Sequence, residues 1–383
     1  MIKYIMMSRY AHCLPPEERL VLFLSRYNVS KELIVQCNKT ISRGINWDRF
    51  IRKGDIARTS PIIYKNIKDL PNVPENVKKV LKLRYLGSLR HNLLLKDETK
   101  RIISALKERK IEAIPLKGAF ASEQVFGDIA LYTGSDIDIL VSPSDLEKTK
   151  RVLLDIGYRE EKGFNEGDFV QTSYHLPPYV RGGFYLEIHW NLTMRYFNSR
   201  PEFWWEEKKE IEIDGERFLC LSPERYLLYT IFRLFSHAFY PLKFHVLIAG
   251  IIESSRNRID WEKLLSKARE IGMGRLTTFT LSLMNEFFDL DVPVRFRVEG
   301  FVMNRIKDMI LRGLFDDEPV LTRRMIVYSY LHDGLRGYLS VLLKRLFPRP
   351  GEIRSRYGIE PGSKKVILYY LLNPVYLVLG RKR

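Results

Sequence analysis

Residues 134–141 read GSDIDILV, a short apolar strand that carries two aspartates. Side chains two positions apart on a strand point to the same face, so Asp136 and Asp138 share one face. Ile137 and Ile139 then point to the other. Like charges this close repel each other, and a partly buried carboxylate is costly unless a positive charge pairs with it. The stretch therefore predicts a strand that presents a cation site on one face.

The segments around this strand predict a small α/β unit over residues 111–220. Upstream, IEAIPL is typical of a short strand and KGAFASEQVF of a helix. Downstream, SPSDLEKTKRVLLDIGY predicts a helix that Ser144 caps, with Glu147 three residues later, and that Gly157 ends. Alternation in GGFYLEIHWNL predicts a further strand with Glu187 and His189 on one face.

Helical patterns flank this unit on both sides. Before it, ERLVLFLSRYN and the long basic stretch from NVPENVKKV to ALKERK have apolar residues at helical spacing. After it come four predicted helices, of which SPERYLLYTIFRLFSHAFY is the first. Pro, Gly or Asp residues separate them. We therefore predict an α+β protein: an N-terminal helical region (1–110), a core with a small mixed β-sheet (111–220), and a C-terminal helical region (221–383).

The amino-acid composition favours anionic partners but does not identify which one. The net charge is +17, from 63 Lys and Arg against 46 Asp and Glu, which favours nucleotides, nucleic acid or an acidic membrane surface. The three scattered cysteines form no C-x-x-C pair, so they indicate neither a zinc ribbon nor a disulfide framework. The first twenty residues lack the apolar core of a signal peptide, and we expect a cytoplasmic protein.

Two aspartates on a strand and a third carboxylate on a neighbouring strand are suited to divalent metal. Such an ion neutralises charge on phosphate oxygens, and a second ion can activate an attacking oxygen. Mg²⁺ prefers oxygen ligands and keeps substrate phosphates in its shell, and Mn²⁺ is the alternative. Asp136, Asp138 and Glu187 are the predicted ligands. The other interpretation is a solvated acidic sheet face.

Small residues near the aspartates favour the metal site over the solvated face. Gly134 and Ser135 form a flexible, hydroxyl-bearing turn directly before the pair. Lys117 and Gly118 open a helix upstream, and helix N-termini with small residues bind phosphate well.

The set of motifs resembles the nucleotidyltransferase superfamily of the DNA polymerase β type. More closely, it resembles a poorly characterised group of bacterial and archaeal nucleotidyltransferase family proteins, in which L-K-G replaces the G-S turn. The chain has LKG at 116–118, SDIDILV at 135–141, GY at 157–158 and EIHW at 187–190. The likeness extends upstream through ARTSPIIYKNI and downstream through DWEKLLSKAREIG and PGEIRSRYG.

The resemblance implies a role for each matching residue. Asp136 and Asp138 would be metal ligands, and Glu187 would be the third catalytic carboxylate. The remaining matches would lie at the nucleotide phosphates, with the lysine as their charge partner: Lys117, Gly118, Gly134 and Ser135.

The histidines have weaker claims to a role. His189 would support the carboxylates or serve structurally, and we favour the structural role. His175 would reach the site only if its strand pairs beside the D-x-D strand. His237 is expected in the aromatic core. His332 and Asp333 resemble a hydrolase dyad without companion histidines, so we expect no metal there.

Basic surfaces and the tail leave other partners open. Lys78–Arg90 and Lys344–Arg356 are basic, but no aromatic series for stacking bases is interleaved with the first, so nucleic acid is not favoured. The tail KKVILYYLLNPVYLVLGRKR is apolar between basic flanks. We expect it to be buried, with peripheral membrane contact as the alternative.

The function predicted from these residues is metal-dependent transfer of a nucleoside monophosphate from an NTP, such as ATP, to an unknown acceptor hydroxyl. Two alternatives stay open. One is a catalytically silent nucleotide- or partner-binding protein of the same fold, and the other is a basic peripheral membrane or nucleic-acid adaptor.

Overall fold

The computed structural model describes most of the chain. The described residues are 13–161, 173–194, 197–293, 301–316, 331–334, 346–360 and 363–379, with Leu339 and Leu343. The basic segment Lys344–Arg356 and the tail therefore lie partly outside the described residues. Within them the protein is α+β, with a small mixed sheet flanked by helices.

Helices form the N-terminal part of the chain, as predicted. They are α1 (Pro16–Leu24), α2 (Lys31–Ile41), α3 (Trp47–Ala57), α4 (Ser60–Ile67) and the long α5 (Glu75–Glu108). The side chains of Ser30 and Asn46 accept hydrogen bonds from the first turns of α2 and α3, which fixes where these two helices begin.

The sheet has the strand order β1-β2-β5-β4-β3. Only β2 and β5 pair in parallel, and the other pairs are antiparallel. The elements of this part are β1 (Ala113–Pro115), α6 (Ala119–Phe126), β2 (Ile137–Val141), α7 (Leu146–Asp155), β3 (Arg159–Glu160), β4 (Tyr179–Arg181) and β5 (Phe184–His189).

A second group of elements follows the sheet. They are α8 (Pro201–Trp205), the hairpin of β6 (Lys209–Ile213) and β7 (Glu216–Cys220), then α9 (Pro223–Ser236), α10 (Leu242–Ser254), α11 (Trp261–Glu270), α12 (Gly274–Phe288), α13 (Phe301–Gly313), α14 (Pro350–Tyr357) and α15 (Lys365–Leu379). The hairpin is a separate two-stranded sheet.

Two apolar clusters hold the sheet between helices. On one face, Ile137 and Ile139 of β2 pack in a cluster with apolar residues of α5 and α7. Leu140 belongs instead to the large cluster that joins N-terminal helices to α9, α10 and α12. Because both faces of β2 are covered, the carboxylate of Asp138 is buried; the residue is 2% exposed.

The predicted cap of α7 is wrong. Ser144 lies in a 3₁₀ turn, Pro143–Asp145, and its hydroxyl is hydrogen-bonded to that of Ser142, so it does not reach the helix amides. The predicted end of α7 is confirmed: Gly157 has φ +88°, in the left-handed region that favours glycine.

The expected burial of the tail is wrong for one face of α15. Ile367 and Leu371 are 65% and 69% exposed. Asn373 on the same helix is buried and donates a hydrogen bond to the carbonyl of Leu346. Among the described residues, no helix has both the length and the apolar character that crossing a membrane requires.

Candidate active site

Parallel pairing of β2 with β5 brings the predicted carboxylates together. Asp138 lies directly opposite Glu187 in the register of the two strands. Asp136 precedes the first residue of β2, so its side chain lies at the entrance of the strand. The two aspartates thus meet Glu187, which lies about fifty residues later in the sequence.

Lys117 supplies a positive charge between the two aspartates. Its Nζ lies 2.8 Å from Oδ2 of Asp136 and 2.8 Å from Oδ2 of Asp138. The backbone holds the lysine there, because the N–H of Leu116 donates to the carbonyl of Asp138. The resemblance implied that Lys117 pairs with phosphates; in the structure its ammonium group contacts the carboxylates.

Burial and neighbouring charges shift the pKa values of Lys117 and Asp136. Burial, reinforced by the nearby Arg233, lowers the pKa of Lys117 to about 8, although Asp136 and Glu187 oppose this. Burial alone would raise the pKa of Asp136, but Lys117 and the Ser135 hydroxyl, which donates to Asp136, bring it below its usual value. Asp136 is therefore ionised at neutral pH.

His189 links the other two carboxylates. Its Nε2 lies 2.9 Å from Oδ1 of Asp138 and 3.5 Å from Oε2 of Glu187. Since carboxylates only accept, Nε2 carries the hydrogen. Burial would raise the pKa of Glu187, but the bond with His189 and the charge of Lys117 hold it well below its usual range. Burial in turn lowers the pKa of His189.

His175 lies beside His189, and it interacts electrostatically with Glu187. The two residues form an isolated antiparallel bridge, and their ring centroids are 5.0 Å apart. Burial, followed by the influence of His189, lowers the pKa of His175 to about 4, so its ring is neutral at pH 7.

The pair His332 and Asp333, which resembles a hydrolase dyad in the sequence, has a structural contact. Asp333 accepts a hydrogen bond from the N–H of Gly274 at the start of α12.

Two glycines let the loop before Asp136 pack against the loop before α6. A Cβ built on Gly134 would lie 2.9 Å from Cα of Gly118, closer than real contacts allow. Gly118 itself has φ +69° and ψ −130°, a conformation that favours glycine. Asn92 of α5 anchors this arrangement, because its amide oxygen accepts from the N–H of Gly134.

The donor set fits a divalent cation. Among the described residues, the group that could hold a metal ion consists of Asp138, Glu187 and His189, whose ligand atoms lie within 4.8 Å of one another; the predicted ligand Asp136 is not part of this group. Oδ2 of Asp138 is buried without a hydrogen-bond partner and has the ammonium of Lys117 2.8 Å away. A buried carboxylate oxygen that faces only a cation is suited to a hard metal ion.

The sequence did not indicate three further cations near this loop. Arg233 of α9, Lys243 of α10 and Arg58 at the end of α3 all act electrostatically on groups of the site or on one another. The available signal is a single cation inside an apolar run, as in IFRLF and PLKFHVL.

Comparisons with known proteins identify the class. A family model described as "Uncharacterised nucleotidyltransferase" matches residues 43–289, more than half of the chain. The chain belongs to this family of nucleotidyltransferases, and it is a transferase.

Two solved structures of the antibiotic-resistance factor ANT(2'')-Ia also match. The solution structure is 15% identical, covers 45% of this chain and 87% of its own, and has a TM-score of 0.33. The crystal structure with adenylyl-2''-tobramycin is 14% identical, covers 49% of this chain and 96% of its own, with the same TM-score of 0.33. The comparison with curated proteins finds no match.

Proposed function

We propose that this chain transfers a nucleoside monophosphate from an NTP to a hydroxyl group of an acceptor, with Mg²⁺ or Mn²⁺ held by Asp136, Asp138 and Glu187. One observation carries the proposal: Asp138 and Glu187 lie opposite each other on two adjacent parallel strands, and Lys117 pairs with Asp138 and with Asp136. A divalent ion bound there would neutralise charge on the triphosphate. A second ion, placed with the help of Glu187, would activate the acceptor hydroxyl.

The protein groups around the carboxylates support this chemistry. The low pKa of Glu187 keeps it ionised at neutral pH, ready to bind a cation. His189 fixes the orientation of Asp138 by its hydrogen bond. Gly118 directly precedes α6, whose N-terminal amides and dipole favour phosphate, and Ser135 adds a hydroxyl beside Asp136.

Lys117 has two positions in this proposal. Without metal it balances the aspartates, and when a divalent ion takes its place it is free to contact the phosphates. Its ammonium lies 2.8 Å from each aspartate, so a divalent ion bound by these carboxylates would displace it.

The test uses NTPs that carry ³²P in the α or the γ position, incubated with the full chain, Mg²⁺ and a pooled small-molecule extract. We expect the α label to move to an acceptor and the γ label to leave as pyrophosphate. Asp138→Asn should abolish both the transfer of the α label and the release of labelled pyrophosphate. Asp145→Asn is the matched control, because Asp145 lies beyond the other end of β2 and pairs with Lys148.

Transfer of the γ label would replace nucleotidyl by phosphoryl transfer and contradict the proposal. Transfer of the α label that persists in Asp138→Asn would also contradict it, because the carboxylates would then not be needed.

A further inference from the structure

A basic cavity adjoins the loop that carries the aspartates. It has a volume of about 350 Å³ and lies between the end of α3, the start of α4, the third and fourth turns of α5 and the start of α10. Its wall on the catalytic side is formed by Thr133, Gly134 and Ser135, directly before Asp136. A ligand in this cavity would therefore lie beside the predicted metal ligands.

The cavity lining has an excess of positive charge. It contains Arg58, Arg84 and Lys243 but only one carboxylate, Asp55. Arg84 uses that carboxylate, with its Nη2 3.0 Å from Oδ2 of Asp55. Among the described residues, no carboxylate lies within 4 Å of the side-chain nitrogens of Arg58 or Lys243. Within the described part of the chain, the buried Lys243 thus has no carboxylate partner, and Arg58 is exposed to the solvent of the cavity.

Of the two residues, Lys243 indicates an anion-binding site more strongly than Arg58. It is only 8% exposed, and its Nζ donates one long hydrogen bond, 3.4 Å, to the carbonyl of Thr133. The ring of Tyr132, 5.2 Å away, is its other close neighbour on the catalytic loop. Burial without a carboxylate partner disfavours the charged form of Lys243, and an anion bound in the cavity would stabilise that form, so the site favours an anion.

Two helix N-termini add to the positive potential. Ser60 is the first residue of α4; its hydroxyl donates to the carboxylate of Asp55, and the Thr59 side chain gives that helix no capping hydrogen bond. Lys243 is the second residue of α10. Helix N-termini favour negative groups, and arginine matches the geometry of phosphate.

We propose that this cavity binds a phosphoryl group of a substrate, held by Arg58, Lys243 and the N-terminus of α4. The group belongs either to the tail of the donor NTP or to a phosphorylated acceptor, and this assignment rests on the proposed function. The same charge disfavours a polycationic acceptor.

The probes are inorganic phosphate and pyrophosphate, titrated calorimetrically into the full chain in the presence of a chelator. We expect Arg58→Gln and Lys243→Met each to weaken pyrophosphate binding at least tenfold. Lys82→Ala is the matched control, because Lys82 is an exposed lysine of α5 outside the cavity. Circular dichroism of each variant checks that it is folded.

The aspartate double variant Asp136→Asn, Asp138→Asn separates the cavity from the metal site. It should lose metal-dependent NTP binding and keep pyrophosphate binding in chelator. No pyrophosphate binding to the wild type would overturn the proposal. An equal loss of pyrophosphate binding in Lys82→Ala would also overturn it. A loss of pyrophosphate binding that occurs only in the aspartate double variant would overturn it as well.

A second titration, of ATP and AMP with Mg²⁺, identifies the source of the phosphoryl group. If the cavity holds the donor tail, Arg58→Gln weakens ATP binding and leaves AMP binding unchanged. If it holds an acceptor phosphate, ATP binding is unchanged in Arg58→Gln and phosphate still binds to the ATP-loaded protein. Each result supports the cavity as a phosphoryl site.

Discussion

The ammonium of Lys117 lies 2.8 Å from Oδ2 of the fully buried carboxylate of Asp138. The same nitrogen is equally close to Asp136, so a single lysine balances both aspartates of the D-x-D strand. The charge that this strand requires is thus present within the chain, next to the carboxylates that we propose bind a divalent ion.

Lys117→Met should make the chain dependent on metal for its stability. Removing one partner of a buried ion pair costs about 3–5 kcal/mol, because the other partner is left uncompensated. We expect a loss of this order in the free energy of unfolding in chelator, measured by urea denaturation, and recovery of much of it with Mn²⁺. Lys148→Met, at an exposed pair, should change little. An unchanged midpoint for Lys117→Met would show that Lys117 does not balance the aspartates.

Gly134→Ala should damage nucleotide binding through the backbone. Its Cβ would lie 2.9 Å from Cα of Gly118, so the two loops must separate. We expect a lower melting temperature and weaker NTP binding. Gly87→Ala, in α5 with no atom within 4 Å of its new Cβ, should instead raise stability by about 0.5–1 kcal/mol. Thermal unfolding of both variants checks the opposite signs, and equal effects would contradict the packing.

Lys243 should make stability depend on pH. Burial, reinforced by Arg58, Lys117 and Arg233 and opposed by Asp136, lowers its pKa from 10.5 to about 7. Between pH 7 and about 10.5 the unfolded chain holds a proton that the folded chain lacks, so the Lys243 contribution to stability rises with pH. Lys243→Met should therefore be more stable than wild type near pH 6–7, and its advantage should shrink towards pH 10. A constant difference in unfolding free energy across this range would refute the shift.

Arg58→Gly should separate stability from anion binding. Arg58 ends α3 with φ +55°, a left-handed conformation that costs a non-glycine residue about 1 kcal/mol. Glycine relieves this strain, so we expect stability to be unchanged or up to about 1 kcal/mol higher. Pyrophosphate binding should be lost, because the guanidinium is gone. A variant that unfolds more easily, or that binds pyrophosphate as wild type does, would contradict the assignment.

The sequence allowed the carboxylate cluster to be predicted because it depends on local pattern. Alternation along two strands placed Asp138 and Glu187 on defined faces, and parallel pairing then brought them together. The cavity cations could not be predicted, since Arg58, Arg84 and Lys243 lie on helices whose packing no local pattern specifies. The Ser144 cap failed for a related reason: a 3₁₀ turn precedes α7 and moves the start of the helix past the serine.

The most direct measurement is calorimetric titration of ATP, GTP, CTP and UTP into the full chain with Mg²⁺ or Mn²⁺, because it needs no acceptor. The wild type is compared with the Asp136→Asn, Asp138→Asn double variant and with Asp145→Asn as the control. We predict binding of at least one NTP that requires the metal, survives in Asp145→Asn and is lost in the double variant. Absence of binding to the wild type with either metal, or metal-independent binding that the double variant retains, would contradict the account.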